Sequence, residues 1–414
     1  MNNLFQWLNS SSEVLRTHTA SSGGLFSNTN PTTNWSNYFS FGKPMVEPPT
    51  SEPEPFVIQT TNTIPSNDDS SETVLKPCPT TIKHIVISGG GEYGFSFYSA
   101  LRYSNIAGFW KIENIESIYG TSIGTFIAVI ILLLPFFNWE ILDDFIIKRP
   151  WHNLFDFNIK NILPAIKQNG IFSIKVVEDL VSPLFRAIDI PLDINMRDFY
   201  TFTRIELHLI TVNITDFELV DISYKTHPEW KVIDAMYCSM CLPILFIPHK
   251  INDTIYIDGG LLLNYPVNIC IGNGAHKDEI LGLSKVFPEG NQRVVVNTLI
   301  DYIFYIIGSL LSKVSIKPVP VKNQIEFITH DPFVNIYSVY KCTSQKEYRT
   351  TLLQNGSDVW NEFYHKTYDT QFTEERLVEK CKESDENAPE VDSPSSVASP
   401  TNSDELPFPE LFSG

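Results

Sequence analysis

Short apolar runs that end at glycines recur through the middle of the chain. Ile82–Ile87 is a β-branched run followed by three glycines, which is typical of a buried strand. Ser96–Ala107 is compatible with a helix, and Ile115–Tyr119 predicts a weaker strand before a second glycine turn. Leu207–Ile214 and Thr254–Ile257 predict further strands. Strands that alternate with helices predict an α/β fold with a largely parallel sheet.

The most apolar segment of the chain follows the second glycine turn. It predicts a helix over Ile123–Leu134 that is apolar on every side and therefore packed deep inside the protein. The segment is shorter than the roughly 20 residues that a membrane span needs. A second apolar patch, residues 302–311, is either core or a surface that touches a membrane, and we favour the core.

The two ends of the chain differ in composition from the middle. Residues 1–80 are rich in Ser, Thr, Asn and Pro, and residues 374–414 are acidic. Such segments bury too little apolar surface to offset the entropy of ordering them, so we expect two disordered tails. The folded domain is then 81–373. The apolar segment Leu406–Phe412, near the end of the acidic tail, leaves open a role for the tails in binding protein partners.

The distribution of charge changes what the net charge means. The formal net charge of -18 over 414 residues argues against nucleic acid as a partner. The C-terminal tail, however, holds 11 acidic and 3 basic residues, and residues 1–80 hold 7 acidic and 3 basic ones. The folded middle is close to neutral, and it is free to approach a lipid surface.

Cysteine content and the N-terminus bear on the compartment. Six irregularly spaced cysteines do not form a disulfide framework, and the first residues show no basic start followed by an apolar run. We therefore expect an intracellular protein, cytoplasmic or peripheral to membranes, with no signal peptide and no transmembrane span.

The first glycine turn contains Gly89, Gly90, Gly91 and Gly94, directly after a predicted strand and before a predicted helix. Glycines let an anionic group approach the main-chain N–H groups, and a helix N-terminus adds partial positive charge. The G-x-G-x-x-G pattern fits two functions. One is a cradle for a dinucleotide pyrophosphate, and the other is a cradle for the oxyanion of acyl transfer.

The second glycine turn is Gly120-Thr121-Ser122-Ile123-Gly124, a G-x-S-x-G pattern between a strand and a helix. In a nucleophile elbow this spacing holds the serine in a tight backbone conformation with its hydroxyl exposed. Gly120 and Gly124 are small enough to avoid the neighbouring strands. The pattern predicts Ser122 as a nucleophile.

The third turn is Asp258-Gly259-Gly260, at the end of a predicted strand. Its carboxylate is either a general base on a bare turn or a turn residue that accepts backbone N–H bonds. A serine hydroxyl is a poor nucleophile until a base takes its proton. An aspartate with an ordinary pKa near ~3.9 is a weak base, so Asp258 needs a dry environment.

The three turns occur in one order, and in this order they resemble the patatin-like phospholipase family, with G-G-G-x-x-G, then G-x-S-x-G, then D-G-G/A. Two flanking segments are also similar to that family, Cys238–Phe246 before the aspartate and Asn264–Val267 after it. The resemblance spans roughly 82–283.

The resemblance implies a three-layer α/β/α sandwich and a lipid acyl hydrolase that needs neither cofactor nor metal. Ser122 would attack the ester carbonyl, Asp258 would be the general base, and main-chain N–H groups of the first turn would hold the oxyanion. The substrate would be a phospholipid or another lipid ester, met during transient contact with a membrane surface. Tyr93 stands where the family usually has Lys or Arg, which leaves open a catalytically silent, lipid-binding member.

Three further combinations of residues also have to be considered. Ser122, Asp258 and His276 follow the chain order of an α/β-hydrolase triad, with His330 as a second option for the histidine. A dinucleotide site would use Glu113 or Glu116 to bind a ribose. Cys238 and Cys241 form a C-x-x-C pair, which we interpret as small buried residues because zinc would need a second pair.

Overall fold

The structure is a computed structural model that describes residues 81–155, 167–286, 302–303, 305–306, 315–329 and 336–368. The predicted tails, 1–80 and 374–414, lie outside these residues, so the domain boundaries stay predictions. Within the described ranges, no helix is both long enough and apolar enough to cross a membrane.

The described residues contain ten strands and nine helices. The strands are β1 (His84–Ile87), β2 (Ser117–Thr121), β3 (Gly170–Phe172), β4 (Glu206–Asn213), β5 (Glu218–Ile222), β6 (Ile244–Phe246), β7 (His249–Ile251), β8 (Thr254–Asp258), β9 (Ile280–Val286) and β10 (Asn323–Ile328). The helices are α1 (Gly94–Ile106), α2 (Ile123–Leu132), α3 (Trp139–Lys148), α4 (Lys175–Ala187), α5 (Met196–Thr203), α6 (Val232–Met240), α7 (Val267–Gly272), α8 (Ile336–Ser344) and α9 (Lys346–Tyr368).

Eight strands form the central sheet, in the order β10-β9-β1-β2-β4-β8-β7, with β5 also paired to β4. The pairs from β10 to β4 are parallel, whereas β8, β7 and β5 join the sheet antiparallel. A separate two-stranded sheet pairs β3 with β6. The fold is therefore mixed α/β with a mostly parallel central sheet.

Helices cover both faces of this sheet. Helix α2, which follows Ser122, packs against β2 on one face, with α1 and α6 beside it. On the other face, Val267 and Cys270 of α7 pack against Val86 and Tyr119. These three layers agree with the sandwich that the sequence resemblance implies.

The packing confirms that α2 is deep inside the protein, because its residues from Ile127 to Leu132 are at most 1% exposed. The helix ends at Leu132, two residues earlier than predicted, and a 3-10 turn over Leu134–Phe136 follows. A proline ring at position 135 removes a backbone donor and crowds the preceding turn, which explains the early end.

The apolar patch 302–311 lies mostly outside the described residues. Of its four described members, Tyr302, Ile303 and Ile306 are exposed by 36–51%, and Tyr305 is half-buried. For these three residues the core interpretation is wrong, because they leave a third or more of their surface in contact with water.

Candidate active site

The pairing of β4 with its neighbours brings Ser122 and Asp258 together. Strand β5 pairs with β4 over Leu209–Asn213, so it occupies one edge of this segment. Strands β2 and β8 must therefore share the other edge and meet end to end. Thr121 lies opposite Ile210, and Asp258 lies opposite the next residue, Thr211. The residue that follows β2, Ser122, is thus placed at the end of β8.

Ser122 occupies the elbow with φ 53° and ψ -124°, in the range of φ that L side chains rarely adopt. Its flanking glycines are required by close backbone contacts. A Cβ at Gly124 would lie 2.5 Å from the Ile87 carbonyl oxygen, and one at Gly120 would lie 2.7 Å from the Gly124 carbonyl oxygen. The backbone of strand, elbow and helix is therefore too close for any side chain at these two positions.

Asp258 is buried, with 3% of its surface exposed. Its Oδ1 accepts a hydrogen bond of 2.7 Å from the Gly260 N–H, and its carboxyl also interacts with the Ser122 hydroxyl. Burial disfavours the charged carboxylate and raises the pKa of Asp258 to about 6, although both hydrogen bonds lower it. The group is therefore a stronger base than an exposed aspartate and is still ionised at neutral pH.

Two of the glycine N–H groups of the first glycine turn are hydrogen-bonded within the described structure, and two are not. The Gly89 N–H donates to the Asn264 carbonyl over 3.0 Å, and the Gly94 N–H bonds to carbonyls within the turn. No described residue accepts a hydrogen bond from the N–H of Gly90 or Gly91. This narrows the predicted set of oxyanion donors to Gly90 and Gly91, while Gly89 and Gly94 act through close packing.

Asn264 holds the first glycine turn next to Ser122 through two hydrogen bonds to Gly89. Its Nδ2 donates to the Gly89 carbonyl over 3.0 Å, while its own carbonyl receives the Gly89 N–H. A Cβ at Gly89 would lie 2.5 Å from the Asn264 Oδ1 and 3.1 Å from the Ser122 Cβ. The sequence marked this segment only by its resemblance to the family and did not reveal the contact.

Ser239 on α6 fixes the backbone of the elbow. Its hydroxyl accepts the Ser122 N–H over 3.2 Å, donates to the Ile210 carbonyl over 2.7 Å, and contacts the Thr125 hydroxyl at 2.8 Å. It is fully buried. A serine in the mostly apolar second half of the helix was the available sequence signal, but spacing alone does not show which group it contacts.

A cavity of about 110 Å³ opens beside Ser122. Its walls are mostly apolar and come from α2, α6, β6 and the 3-10 turn at Trp151. Its polar or thiol-bearing lining comes from Ser122, Glu92, Cys342 and Thr343. The apolar residues nearest the serine and along the walls include Phe95, Ile123, Phe126, Trp151, Met240, Leu242, Leu245 and Phe246. A cavity of this chemistry suits an apolar chain better than a charged group.

The structure separates His276, the first histidine of the possible triad, from Ser122 and Asp258. His276 is exposed, 3.8 Å from the Asp278 carboxylate, and it precedes β9 at the amino end of the sheet, opposite Ser122. A triad through His276 is therefore excluded by position, and His330 lies outside the described residues. The pKa of Asp258 agrees with this: among the described residues it is shifted by burial, by Ser122 and by Gly260, and not by a histidine.

The glutamates of the possible dinucleotide site lie away from Ser122 and Asp258, whereas the C-x-x-C cysteines are buried next to Asp258, whose N–H donates to the Cys241 carbonyl. Glu113 and Glu116 precede β2 at the amino end of the sheet, so they do not reach a ligand on the first glycine turn. Cys238 and Cys241 are free, buried thiols, and burial raises the pKa of each. The two cysteines fill space beneath the site, which agrees with their interpretation as small buried residues.

Relatives of the chain occur among viral proteins. The "Probable lipid hydrolase 463L" of Invertebrate iridescent virus 6 is 27% identical over 223 residues, covering 52% of this chain and 74% of that protein. The "Uncharacterized protein R571" of Acanthamoeba polyphaga mimivirus is 24% identical over 247 residues, covering 56% and 77%.

Two solved structures are similar to the fold at a low level. VipD from Legionella pneumophila matches with a TM-score of 0.39 and 16% identity, over 70% of this chain and 67% of its own. The type III effector ExoU matches with a TM-score of 0.37 and 12% identity, over 70% of this chain and 54% of its own.

The match to a family model covers all three glycine turns. The model described as "Patatin-like phospholipase" matches residues 85–271, which run from β1 through the elbow and Asp258 into α7. Over residues 85–271, the chain thus matches the patatin-like phospholipase family.

Proposed function

We propose that this protein is a lipid hydrolase that cleaves carboxylic esters, of the phospholipase A type or a related lipase. The observation that carries the proposal is the adjacency of Ser122 and the buried Asp258, which follows from the strand register, together with the apolar cavity that Ser122 lines. The family match and the viral relative named as a probable lipid hydrolase support lipid as the substrate class.

The proposed reaction proceeds through a covalent acyl-enzyme. The Asp258 carboxylate takes the proton of the Ser122 hydroxyl as Oγ attacks the ester carbonyl carbon, and the carbonyl electrons move to its oxygen. When this tetrahedral intermediate collapses, the ester bond breaks and Asp258 returns its proton to the departing alcohol. A water molecule, deprotonated in turn by Asp258, then attacks the acyl carbon, and when the second intermediate collapses the bond to Oγ breaks, Asp258 returns the proton to Ser122 and the fatty acid leaves.

Backbone N–H groups stabilise the oxyanion of the proposed intermediate. Gly90 and Gly91 offer two N–H groups from the first turn, and Ile123 offers the first N–H of α2, a position that has no acceptor within its own helix. Loss of one such donor typically lowers kcat by about 10²–10³. The acyl chain would lie in the cavity, where it leaves water for apolar walls.

The test uses covalent labelling together with activity on soluble and lipid esters. We expect a fluorophosphonate probe to label Ser122 and the Ser122→Ala variant to lose both labelling and ester hydrolysis, by roughly 10³-fold or more. Asp258→Asn should lose turnover to a similar extent, because the amide does not accept the proton.

His276→Ala is the matched control, since it removes a titratable ring at the opposite end of the sheet. We expect its activity to stay within about twofold of the unmodified protein. Labelling of a different serine would contradict the proposal, as would a folded protein that hydrolyses no ester at all. The second result would favour the catalytically silent, lipid-binding hypothesis.

A further inference from the structure

An apolar stripe runs from beneath the Asp258 turn to the outer end of the sheet. Leu219, Val212 and Ile257 lie side by side on β5, β4 and β8, and they pack with Leu261 and Leu262. Side chains two residues apart on a strand share a face. The next residues beyond this stripe are Ile255, on the same face of β8, and two apolar residues of the turn that joins β4 to β5.

Those next residues are Ile214, Phe217 and Ile255, which we call the apolar tip. Their exposed fractions are 44%, 53% and 37%, respectively, although the stripe behind them is buried or half-buried. The Ile214 N–H donates to the Ile255 carbonyl over 3.0 Å, which ties the two hairpins of the tip together. The tip is thus an ordered apolar surface.

The tip lies at the same end of the sheet as the proposed dyad. Ile214 comes three residues after Thr211, which pairs with Asp258, and three strand residues span roughly 10 Å. Phe217 stands in the turn with φ 57°, a conformation that is uncommon for a bulky side chain. The turn therefore holds an aromatic ring in water where a glycine or asparagine would be the easier residue.

The charges around the tip indicate which apolar partner it fits. Asp216, Glu218 and Asp253 are exposed there, and Lys250 is paired with Asp253 at 2.7 Å. This negative rim gives no attraction to anionic lipid headgroups. An apolar tip with such a rim suits a surface without net charge.

We propose that the apolar tip docks onto the surface of a zwitterionic lipid bilayer and holds the active-site end of the sheet against it. The inference rests on the proposed function, because a lipid ester must be drawn from such a surface into the cavity beside Ser122. The contact is hydrophobic, so its strength depends on the apolar area buried and little on salt.

The test measures binding of the full chain to phosphatidylcholine vesicles by flotation. Ser122→Ala is used as the background so that the vesicles stay intact. Adding Phe217→Gly and Ile214→Thr should lower the vesicle partition coefficient by roughly tenfold or more. Glycine suits the φ of position 217 and threonine keeps the β-branch at 214, so both changes preserve the hairpin.

Ile106→Thr is the matched control. Ile106 is 59% exposed, but it ends α1, which returns from the first glycine turn to the amino end of the sheet. We expect its vesicle binding to stay within about twofold. If the double variant fails to fold by circular dichroism, Phe217→Gly alone carries the test.

The outcomes separate this inference from the proposed function. Vesicle binding that is unchanged in the tip variants, that requires anionic lipid, or that disappears in 0.5 M salt overturns the docking inference. A tip variant that turns a dimer into a monomer and leaves vesicle binding intact also overturns it, because the tip is then a contact between copies. With Ser122 intact, hydrolysis of a water-soluble short-chain ester tests the chemistry alone, and the tip variants should retain it within about twofold.

Discussion

A buried carboxyl that acts as a base near neutral pH faces opposing demands on its pKa. Burial must raise the pKa so that Asp258 attracts the serine proton, yet the group must remain ionised in the resting enzyme. The Gly260 N–H and the Ser122 hydroxyl meet the second demand by stabilising the carboxylate, and the resulting pKa is about 6. This value is near the optimum for a general base at pH 7.

The pKa of Asp258 predicts the pH dependence of hydrolysis. Below pH 6 the carboxyl is protonated and does not accept the serine proton, so we expect kcat/KM to fall about tenfold per pH unit on the acidic side. Above about pH 7 the profile should be flat. An initial-rate series on a soluble ester measures this, and a profile still flat at pH 4.5 would contradict the assignment of Asp258 as base.

The same pKa predicts a stability cost of the proposed base. The folded-state pKa is raised above the usual 3.8, so the protonated form favours folding, and this contribution is lost as the pH rises through 6. At pH 8, Asp258→Asn should therefore stabilise the protein by up to about 3 kcal/mol. Near pH 4 the gain should vanish, because the carboxyl is then neutral as well. Urea unfolding at both pH values measures the difference, and an equal effect at pH 4 and pH 8 would argue against it.

Among the strands and helices, the parts of the site that could be predicted are those where close backbone contacts require particular residues. Gly120 and Gly124 leave a clear signal, because the backbones of β1, β2 and α2 approach too closely for a side chain. Strands β1 and β2 were predictable because each is a short apolar run before a glycine turn, whereas the parallel strands β9 and β10 were not predicted. The end-to-end meeting of β2 and β8 depends on which edge of β4 each strand uses, and no local pattern encodes that choice.

Contacts between distant elements were not predictable for the same reason. Asn264 and Ser239 each hold a glycine turn through polar contacts with residues more than 100 positions away along the chain. The antiparallel hairpins at β5 and β7 were also missed, since their strands are short and partly exposed. The resemblance to a family identified the segments that contain Asn264 and Ser239, but it did not predict which residues they contact.

The role of α6 as a support for the elbow predicts a selective effect of Ser239→Ala. Removing this hydroxyl leaves the buried Ser122 N–H without its acceptor, so we expect a loss of about 1–3 kcal/mol in stability. Without this hydrogen bond the backbone at Ser122 is less firmly positioned, so kcat should also fall about tenfold or more, with KM little changed.

Ser104→Ala is the control for this prediction. Ser104 is equally buried, and its hydroxyl likewise donates to a carbonyl, that of Leu101, and accepts an N–H, that of Trp110. It lies near the far end of α1. We expect a similar loss of stability with kcat unchanged, and an equal fall of kcat in both variants would show that Ser239 has no positioning role.

At the scale of the whole molecule, the composition of the ends and the packing of the described residues together predict where the chain can be shortened. Ile82 is 1% exposed, and the Lys83 N–H donates to the Glu279 carbonyl, so the N-terminal limit lies just before residue 82. Removing residues 1–78 and 384–414 should therefore leave the thermal unfolding temperature within about 2 °C, which calorimetry measures. A larger fall would show that the tails contribute to the folded domain.

A deeper cut at the C-terminal end should have the opposite result. Trp360 of α9 is 1% exposed and packs edge-on against Phe109, with ring centroids 5.0 Å apart. A chain that ends at residue 358 exposes Phe109, and the loss of Trp360 alone should cost about 3–5 kcal/mol of the free energy of unfolding. Trp360→Ala in the full chain should reproduce that loss, whereas Glu362→Ala, on the exposed side of the same helix, should change it by less than about 0.5 kcal/mol. If the chain that ends at residue 358 unfolds like the full chain, then α9 is no part of the core and the folded domain ends before it.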